Sequence, residues 1–459
     1  MADLATSRGT HARPGGAKRT REDGAGDRSR TYDLRITNAL LYQLSYTGVG
    51  PRIIEVGILG DQGARAESAE TGWSADSTTQ KPILIVTRNL PPLVGGMERL
   101  NWHIADELSR HAEVHVIGPT GAAAVRPERV QLSEVPLRPL WKFLLASALK
   151  AVTVARRIEP EVILAGSGLT APAALIAARA TGARAAVYLH GLDVAVRHPV
   201  YRALWHPTIR RMDTVIANSR PTAELAKHIG VDASKTHIVH PGVQLPTESQ
   251  SADALQDFRQ RYNLGNARLL LSVGRLAARK GLREFVANAL PEIVRNAPDV
   301  LLVIVGDTPS DALAAETQDP ASIQNTADVA GIGQHLRFLG RISERDLPCA
   351  YECAAVQIFP VRDIPGDPEG FGMVAIEAAA HGLPTVAFAS GGVVDAVSEE
   401  RSGLLVKPGD YPALTQAILR ILTGTSDSWR RRCHEFAACF TWTVCGQALA
   451  RTMLTTVFP

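Results

Sequence analysis

The chain has 459 residues, of which 45% are hydrophobic and 21% charged, and its formal net charge is +3. This length predicts two or three domains with large cores, and the composition is typical of a soluble globular protein rather than a membrane-spanning one. Five cysteines are too few for a disulfide framework in a chain of this size and lack metal-ligand spacing, so we expect reduced, structural thiols.

The first 80 residues are rich in Gly, Ser, Arg and Ala and have no sustained helical or strand periodicity. We expect most of this extension to be disordered, with one stray strand from Ile53 to Leu59. It contains no apolar core of a secretory signal. An incorrectly chosen start codon would also explain such an extension, and that alternative stays open.

From residue 81 onward, predicted strands alternate with helices. The first series of strands is predicted at Ile83 to Val86, Val114 to Ile117, Val162 to Leu164, Ala185 to Leu189 and Thr214 to Ala217. A polar linker is predicted from Pro241 to Ser251. The second series is predicted at Leu269 to Val273, Val300 to Val305, Leu336 to Leu339, Val356 to Phe359, Thr385 to Ala389 and Leu404 to Val406. This alternation predicts two Rossmann-like, doubly wound α/β domains with parallel sheets.

The expected boundaries follow from this pattern. They are 1–80 for the extension, 81–247 for the N-terminal domain, 248–435 for the C-terminal domain and 436–459 for a C-terminal helix, which has a helical period from Thr441 to Leu454.

Charge is distributed unevenly between the two predicted domains. Residues 81–247 contain 20 basic and 12 acidic residues, a net charge of +8, whereas residues 248–459 have a net charge of −5. The basic half is therefore expected to meet an anionic partner, such as a phospholipid surface or a phosphorylated acceptor. No motif for nucleic-acid binding accompanies it.

Two apolar segments bear on membrane association. The segment from Trp141 to Arg157 mixes aromatic and aliphatic residues with Lys and Arg, as an interfacial helix does. An ordinary surface helix with one buried face has the same pattern, and both interpretations stay open. The uncharged run from Val162 to Ala178 is shorter than a spanning helix requires and is interrupted by glycines, so it is predicted to be strand, loop and helix.

Two carboxylates flank a predicted helix start in the segment Glu369-Gly370-Phe371-Gly372-Met373-Val374-Ala375-Ile376-Glu377. The helix is predicted from Met373 to Ala380, so Glu369 precedes it and Glu377 projects from its second turn. Exposed amides at such a helix start, beside glycines, favour a phosphate. The two carboxylates can accept hydrogen bonds from paired hydroxyls, so the segment suits a nucleotide sugar. Two solvated acids that flank an ordinary helix start are the alternative.

A basic loop follows the first strand of the second domain, in the segment Gly274-Arg275-Leu276-Ala277-Ala278-Arg279-Lys280-Gly281. Arg275 offers a planar guanidinium and Lys280 a point charge, which together can neutralise a diphosphate. A solvated basic turn is the alternative. We expect Arg279 to be solvated.

The first domain has further candidates at strand ends. Paired glycines, Gly95 and Gly96, open a predicted helix and suit close approach to a phosphate or sugar; a plain tight turn is the alternative. His190 ends a predicted strand, where open α/β sheets bind ligands, and a structural histidine is the alternative there. The segment from Gly166 to Ala171 matches a dinucleotide fingerprint, but His190 stands where the acid of that fingerprint is expected, which disfavours nicotinamide binding.

These motifs, in this order over residues 82–455, resemble those of retaining GT-B glycosyltransferases, in the large family that includes the phosphatidylinositol mannosyltransferases. The resemblance implies that Glu369 contacts the hydroxyls of the transferred sugar, Glu377 holds the ribose, and Arg275 and Lys280 stabilise the leaving nucleoside diphosphate. It also implies that His190 lies near the reactive carbon of the sugar and that the C-terminal helix crosses back to the first domain.

The candidate site follows from the motifs and the resemblance together. The expected catalytic residues are His190, Arg275, Lys280 and Glu369. The expected donor-binding residues are Gly95, Gly96, Gly274, Arg275, Lys280, Gly340, Arg341, Ile342, Glu369, Gly370, Phe371, Gly372 and Glu377, with the backbone of residues 340–342 near the nucleotide base.

The resemblance implies a retaining hexosyltransferase that uses a GDP-, UDP- or ADP-sugar and a lipid-linked or polysaccharide acceptor. The N-terminal domain would bind the acceptor and the C-terminal domain the donor. No cofactor is expected, and the absence of a D-x-D sequence argues against an essential metal. We expect a cytoplasmic enzyme, peripheral on the inner face of the membrane. A sugar-nucleotide epimerase or phosphorylase of the same fold, or a non-catalytic sugar-nucleotide-binding protein, stays open as an alternative.

Overall fold

A computed structural model describes residues 81–308, 318–424 and 426–454. The predicted disordered extension 1–80 and the stray strand from Ile53 to Leu59 lie outside the described residues. Within these ranges the chain forms two α/β domains, each built on one parallel sheet.

The first domain contains a seven-stranded parallel sheet with the strand order β3-β2-β1-β4-β5-β6-β7. Its strands are β1 (Ile83–Val86), β2 (Val114–Pro119), β3 (Val130–Val135), β4 (Val162–Ala165), β5 (Arg184–Leu189), β6 (Thr214–Ala217) and β7 (Thr236–Ile238). Its helices are α1 (Gly96–Leu108), α2 (Leu140–Ile158), α3 (Ala171–Thr181), α4 (Leu192–Ala195), α5 (Pro199–Arg210) and α6 (Arg220–His228).

The second domain contains a six-stranded parallel sheet with the order β10-β9-β8-β11-β12-β13. Its strands are β8 (Arg268–Val273), β9 (Val300–Val305), β10 (Leu336–Gly340), β11 (Ala354–Phe359), β12 (Thr385–Phe388) and β13 (Gly403–Val406). Its helices are α7 (Ala252–Arg261), α8 (Leu282–Asn288), α9 (Leu290–Asn296), α10 (Pro320–Val329), α11 (Asp346–Cys353), α12 (Met373–Ala380), α13 (Val393–Ala396), α14 (Tyr411–Thr423) and α15 (Ser426–Ala437).

Both sheets are covered by helices on both faces, and this explains their sequences. Every residue of β1 and of β9 is buried. Strands of a doubly covered parallel sheet lack a solvent-facing side, so they consist of continuous aliphatic residues rather than alternating ones. Four apolar clusters, one on each face of each sheet, form the cores.

In each sheet the strand order reverses between two neighbouring strands. The reversal falls between β1 and β4 in the first sheet and between β8 and β11 in the second. Ligands of open α/β sheets bind outside the carboxyl ends of the strands at such a point. The loop with Arg275 and Lys280 follows β8, and the loop with Glu369 follows β11, so both border the reversal point of the second sheet.

The chain passes between the domains twice, and the two passages lie side by side. The Val243 backbone N–H donates to the Phe440 carbonyl oxygen at 2.6 Å, and Val243 forms a parallel bridge with Thr441. A final helix, α16 (Trp442–Met453), then packs against α1 of the first domain, with the Trp442 ring stacked on His103 at a centroid distance of 3.9 Å.

Most strands match the sequence expectation, with two exceptions. Strands β3 and β7 were not anticipated, because both lie at sheet edges and have exposed positions that break the apolar run. The run from Val162 to Ala178 is strand, turn and helix, as expected. In the described part of the chain, none of the helices combines the length and apolarity needed to span a membrane.

We predict that Gly306→Ala strongly destabilises the second domain. Gly306 follows β9 with φ +131°, and a Cβ there would lie 1.9 Å from the Gly274 carbonyl oxygen, so backbone must move. We expect a loss of about 3 kcal/mol or more in the free energy of unfolding, measured by urea denaturation.

The matched control is Gly331→Ala. Gly331 also has a positive φ, +73°, but a Cβ there meets no atom within 4 Å. We expect it to cost only about 1 kcal/mol, the conformational penalty of a left-handed alanine. Equal losses in the two variants would contradict the importance of this close backbone approach.

Candidate active site

Glu369 lies on the loop between β11 and α12 and is held by two cations. Its Oε2 atom lies 2.8 Å from Lys280 Nζ and 3.1 Å from Arg279 Nε. The side chains of all three residues are at most 16% exposed. The sequence motifs therefore meet in space, since the basic loop after β8 contacts the acidic loop after β11.

Burial and charge act in opposite directions on the pKa of Glu369. Burial by itself raises this pKa, but the charges and hydrogen bonds of Lys280 and Arg279 outweigh it and lower the pKa from 4.5 to about 2. The Glu369 carboxyl group is thus ionised near neutral pH.

The pKa of Lys280 is shifted as well. Burial lowers its pKa to about 8; Glu369 opposes this shift, while the Arg279 and Arg275 charges add to it. Arg275 belongs to the same loop, and its charge acts on Lys280. The two cations expected to neutralise a diphosphate therefore occupy one neighbourhood.

The expectation that Arg279 is solvated is wrong. Its side chain is only 9% exposed, and it forms ion pairs with Glu369 and, at 3.4 Å, with Asp367 Oδ1. The cause is local, because residues 278–280 form one turn of 3₁₀ helix against the segment that follows β11. The Arg362 backbone N–H donates to the Arg279 carbonyl oxygen at 2.8 Å.

Backbone groups of three neighbouring strands line the same edge. The Gly274 N–H donates to the Val305 carbonyl oxygen at 2.9 Å, and the Gly306 N–H donates to the Gly340 carbonyl oxygen at 2.8 Å. Gly274 and Gly340 therefore lie at the ends of β8 and β10, on either side of β9. Arg341 is exposed and Ile342 half-buried, and neither forms a hydrogen bond or ion pair with another predicted site residue among those the structure describes.

Gly370 connects the donor-side loop to the first domain. Its carbonyl oxygen accepts a hydrogen bond from Ser219 Oγ at 2.7 Å. A Cβ on Gly370 would lie 2.1 Å from the His190 carbonyl oxygen, and a Cβ on Gly191 would lie 3.3 Å from the Gly370 Cα. Only glycine permits this approach, which brings His190 to the loop that carries Glu369.

The ring of His190 is held by its own domain. Its Nε2 atom lies 2.8 Å from the Gly166 carbonyl oxygen, and its backbone N–H donates to Asp193 Oδ2 at 2.8 Å. Because a carbonyl oxygen only accepts, Nε2 is the donor in this contact, and the tautomer that carries its proton there has Nδ1 as an acceptor. Such a ring can orient a sugar hydroxyl through Nδ1.

The dinucleotide-like fingerprint is occupied by protein. A Cβ on Gly166 would lie 2.2 Å from Asn101 Oδ1, and a Cβ on Gly168 would lie 2.8 Å from the Asp193 Cβ. Side chains therefore fill the space that a pyrophosphate would need next to these glycines. The geometry agrees with the expectation that this segment does not bind nicotinamide.

Glu377 is contacted from both domains. It forms an ion pair with Arg99 of α1, and the Tyr351 hydroxyl donates to Glu377 Oε2 at 3.1 Å. Sequence reasoning missed Arg99, although its place in the first turn after Gly96 was a usable signal. Gly96 in turn lies beside the start of α12, since a Cβ there would be 3.7 Å from Met373 Sδ.

Two other predicted residues of the loop pack within the protein. The Phe371 side chain is 3% exposed and its ring lies 5.3 Å from that of His240, so only its backbone is available to a ligand. Gly372 has φ +91°, and a Cβ there would lie 2.7 Å from Phe359 Cε1. Gly95 precedes α1, where a Cβ would approach Glu98 Oε2.

A second contact between the domains was also missed. The Arg220 backbone N–H and Nε donate to the Asp395 carboxylate at 2.6 and 2.5 Å, and this carboxylate is 1% exposed. The preceding Ser219 caps α6 and also bonds Gly370. Its capping pattern is visible in the sequence, but the cross-domain bond is not.

Two parallel-sheet domains that meet beside clustered cations and carboxylates form the GT-B architecture. The family models named Glycosyltransferase Family 4 and Glycosyl transferases group 1 match residues 94–245 and 267–424, respectively. A "GDP-mannose-dependent alpha-(1-6)-phosphatidylinositol monomannoside mannosyltransferase" of Mycolicibacterium smegmatis is 32% identical, over 73% of this chain and 88% of the relative.

Two further comparisons agree. A "D-inositol 3-phosphate glycosyltransferase" of Streptomyces avermitilis is 32% identical over 52% of this chain and 51% of that protein. The crystal structure of Anabaena HepE in complex with UDP superposes with a TM-score of 0.67 at 20% identity, over 81% of this chain and 99% of that one. The last similarity concerns the fold alone.

The chain belongs to glycosyltransferase family 4, the group 1 glycosyltransferases, and has the GT-B fold. The sequence expectation of a hexosyltransferase that uses a sugar-nucleotide donor is thereby confirmed at the level of family and reaction class.

We predict that Glu369→Gln destabilises the protein near neutral pH, because it leaves Lys280 and Arg279 buried without a countercharge. The pKa of Glu369 is about 2 in the folded protein and 4.5 ordinarily. The stabilisation is therefore complete above pH 4.5 and is lost as the pH falls toward 2. We expect it to be about 3 kcal/mol.

Urea denaturation at pH 7, 5 and 4 measures this difference. The gap between wild type and Glu369→Gln should be present at pH 7 and at pH 5 and begin to shrink by pH 4. A variant as stable as the wild type at pH 7 would show that the buried carboxylate is not net stabilising.

Proposed function

We propose that this enzyme transfers mannose from GDP-mannose to a lipid-linked, inositol-containing acceptor with retention of the anomeric configuration. The observation that carries the reaction is the buried contact of Glu369 with Lys280 beside Arg275, at the reversal point of the second sheet. The donor and acceptor are proposed because the relative similar over 88% of its length is named for GDP-mannose and a phosphatidylinositol mannoside.

Each charged residue has a proposed role. Arg275 and Lys280 bind the diphosphate and stabilise the charge that develops on it as the sugar leaves, which is the kind of preorganised interaction that lowers a barrier most. Glu369 accepts hydrogen bonds from sugar hydroxyls. Glu377 binds the ribose after the donor displaces Arg99 from it.

The other groups shape the site around the sugar. His190 accepts a hydroxyl hydrogen bond at Nδ1, near the anomeric carbon. Backbone amides of residues 370–372 and of Gly95 and Gly96 approach the phosphates. The close contact of Gly370 with the first domain supports a cleft that excludes water when closed, which limits donor hydrolysis.

The experiment is a transfer assay with GDP-, UDP- and ADP-sugars and a phosphatidylinositol mannoside acceptor, with nucleoside diphosphate release and lipid product measured together. GDP-mannose should give the highest kcat/KM, and the product should keep the α configuration by NMR. Acceptor-independent release would indicate hydrolysis, and conversion of the donor to another sugar nucleotide would indicate an epimerase.

In the same assay, Glu369→Ala and Lys280→Ala should each lower kcat/KM at least about 100-fold, because each removes a charge placed at the reacting group. Arg295→Ala is the matched control, since this exposed arginine of the second domain pairs with the neighbouring Glu292 on its own helix. Near-wild-type transfer by either site variant would contradict the assigned roles.

We further infer that α2 brings the basic first domain to an anionic membrane surface. Trp141, Leu145 and Leu149 are 58%, 55% and 63% exposed and recur every four residues on one stripe. Exposed Lys142 and Lys150 border that stripe. An apolar stripe flanked by cations is the arrangement of an interfacial helix, and it supports a cytoplasmic enzyme peripheral on the membrane.

We predict that the protein sediments with liposomes containing anionic lipid and less with neutral ones. The triple variant Trp141→Ser/Leu145→Ser/Leu149→Ser should lose most of this binding while transfer to a soluble acceptor continues. Val329→Ser, which changes an 83% exposed residue of the second domain, is the control. Equal sedimentation with both kinds of liposome would refute the idea.

A further inference from the structure

Arg279 stands out among the charged residues because no proposed step uses it. It lies next to Lys280 in the turn after β8, and its side chain is 9% exposed. Its backbone is held in place, since its carbonyl oxygen accepts from the Arg362 N–H at 2.8 Å. At Gly281, two residues after Arg279, a Cβ would lie 2.1 Å from the Pro360 carbonyl oxygen. The turn is therefore packed tightly against the segment that follows β11.

The guanidinium of Arg279 reaches two carboxylates of one loop. Its Nε lies 3.1 Å from Glu369 Oε2 and its Nη1 lies 3.4 Å from Asp367 Oδ1. A planar guanidinium that bonds two groups restrains both in direction as well as distance. The backbone of Glu369 is held too, because its carbonyl oxygen accepts from the Gly392 N–H at 2.8 Å.

The two cations use the same oxygen of Glu369. Lys280 Nζ and Arg279 Nε both bond Oε2, whereas Oε1 has no hydrogen-bond or ion-pair partner among the residues that the structure describes. One oxygen is thus held by protein and the other is left to accept hydrogen bonds from a sugar.

In the proposed function, the Lys280 ammonium group has a second anionic partner once the donor is bound. In the proposed function its ammonium group also binds the donor diphosphate, and that anion weakens the electrostatic support of Glu369. Two cations bond Glu369, and of these only Lys280 is proposed to bind the diphosphate. Arg279 therefore keeps its contact with Glu369 when the donor binds. Arg275, the other cation of this loop, is assigned to the diphosphate.

We propose that Arg279 is the positioning residue for Glu369, holding its Oε2 while Lys280 binds the diphosphate, so that Oε1 stays directed at the transferred sugar. This inference rests on the proposed function and adds to it that the cations of the basic loop act on different groups. Lys280 and Arg275 serve the leaving group, and Arg279 serves the carboxylate that orients the sugar.

The kinetic test compares Arg279→Ala, Arg279→Lys and the control Arg295→Ala with the wild type. We expect Arg279→Ala to lower kcat about 100-fold, as displacement of a positioned group does. The donor KM and the Kd of GDP should change less than about threefold, because the nucleotide contacts remain. Arg279→Lys should recover part of kcat, since it keeps the charge but not the second bond to Asp367.

A carboxyl NMR titration with ¹³C-labelled glutamate provides a readout that needs no turnover, with Glu369→Gln used to assign the signal. With excess GDP present, Glu369 should stay ionised down to low pH in the wild type. Its pKa should be raised in Arg279→Ala and restored toward the wild-type value in Arg279→Lys. The acid-side decline of kcat/KM should move to higher pH in Arg279→Ala in the same way.

Three results would overturn the inference. The first is an unchanged kcat in Arg279→Ala. The second is a rise in the donor KM or the GDP Kd of that variant while its kcat is preserved. The third is a Glu369 pKa that is the same in Arg279→Ala as in the wild type. If Arg279→Ala does not fold, Arg279→Lys decides: a wild-type kcat would overturn the inference, and a reduced kcat with unchanged GDP affinity would support it. A wild type without transferase activity would refute the proposed function alone, since the NMR titration still tests the role of Arg279.

Discussion

The structure of this glycosyltransferase depends on one buried carboxylate. Glu369 lies between Lys280 and Arg279, and the two loops that carry these residues leave the same sheet at the point where its strand order reverses. Burial of a carboxylate is unfavourable unless cations compensate it, and here two cations do. This contact therefore helps to join the loops after β8 and β11, and it keeps the acid ionised where a sugar is proposed to bind.

The same loop also joins the two domains. Gly370, next to Glu369, has its carbonyl oxygen bonded by Ser219 and lies against His190 of the first domain. A short distance away, Arg220 binds the buried Asp395, and Arg99 pairs with Glu377. The acids proposed to bind the donor are thus already part of the contact surface between domains. In the proposed function, donor binding is therefore coupled to domain closure, because both involve the same side chains.

Membership of glycosyltransferase family 4 limits the interpretations that the sequence left open. A dinucleotide-binding protein is disfavoured by the packed glycines at Gly166 and Gly168, and a transferase is favoured over an epimerase by the relatives. The roles of individual residues are proposals that do not rest on the relatives. They follow from where the charges lie and from what a sugar diphosphate requires chemically.

The sequence predicts the two sheets, because strands covered on both faces must be continuously apolar, and it singles out Glu369, Glu377, Arg275 and Lys280 as candidates for the site by their glycine-flanked spacing. It did not reveal edge strands β3 and β7, whose exposed positions interrupt that signal. The burial of Arg279, and the contacts that Arg99, Ser219 and Arg220 make across the domains, are visible only in the folded chain. Such contacts join residues distant along the chain, and local periodicity carries no information about which distant loop a charged side chain will meet.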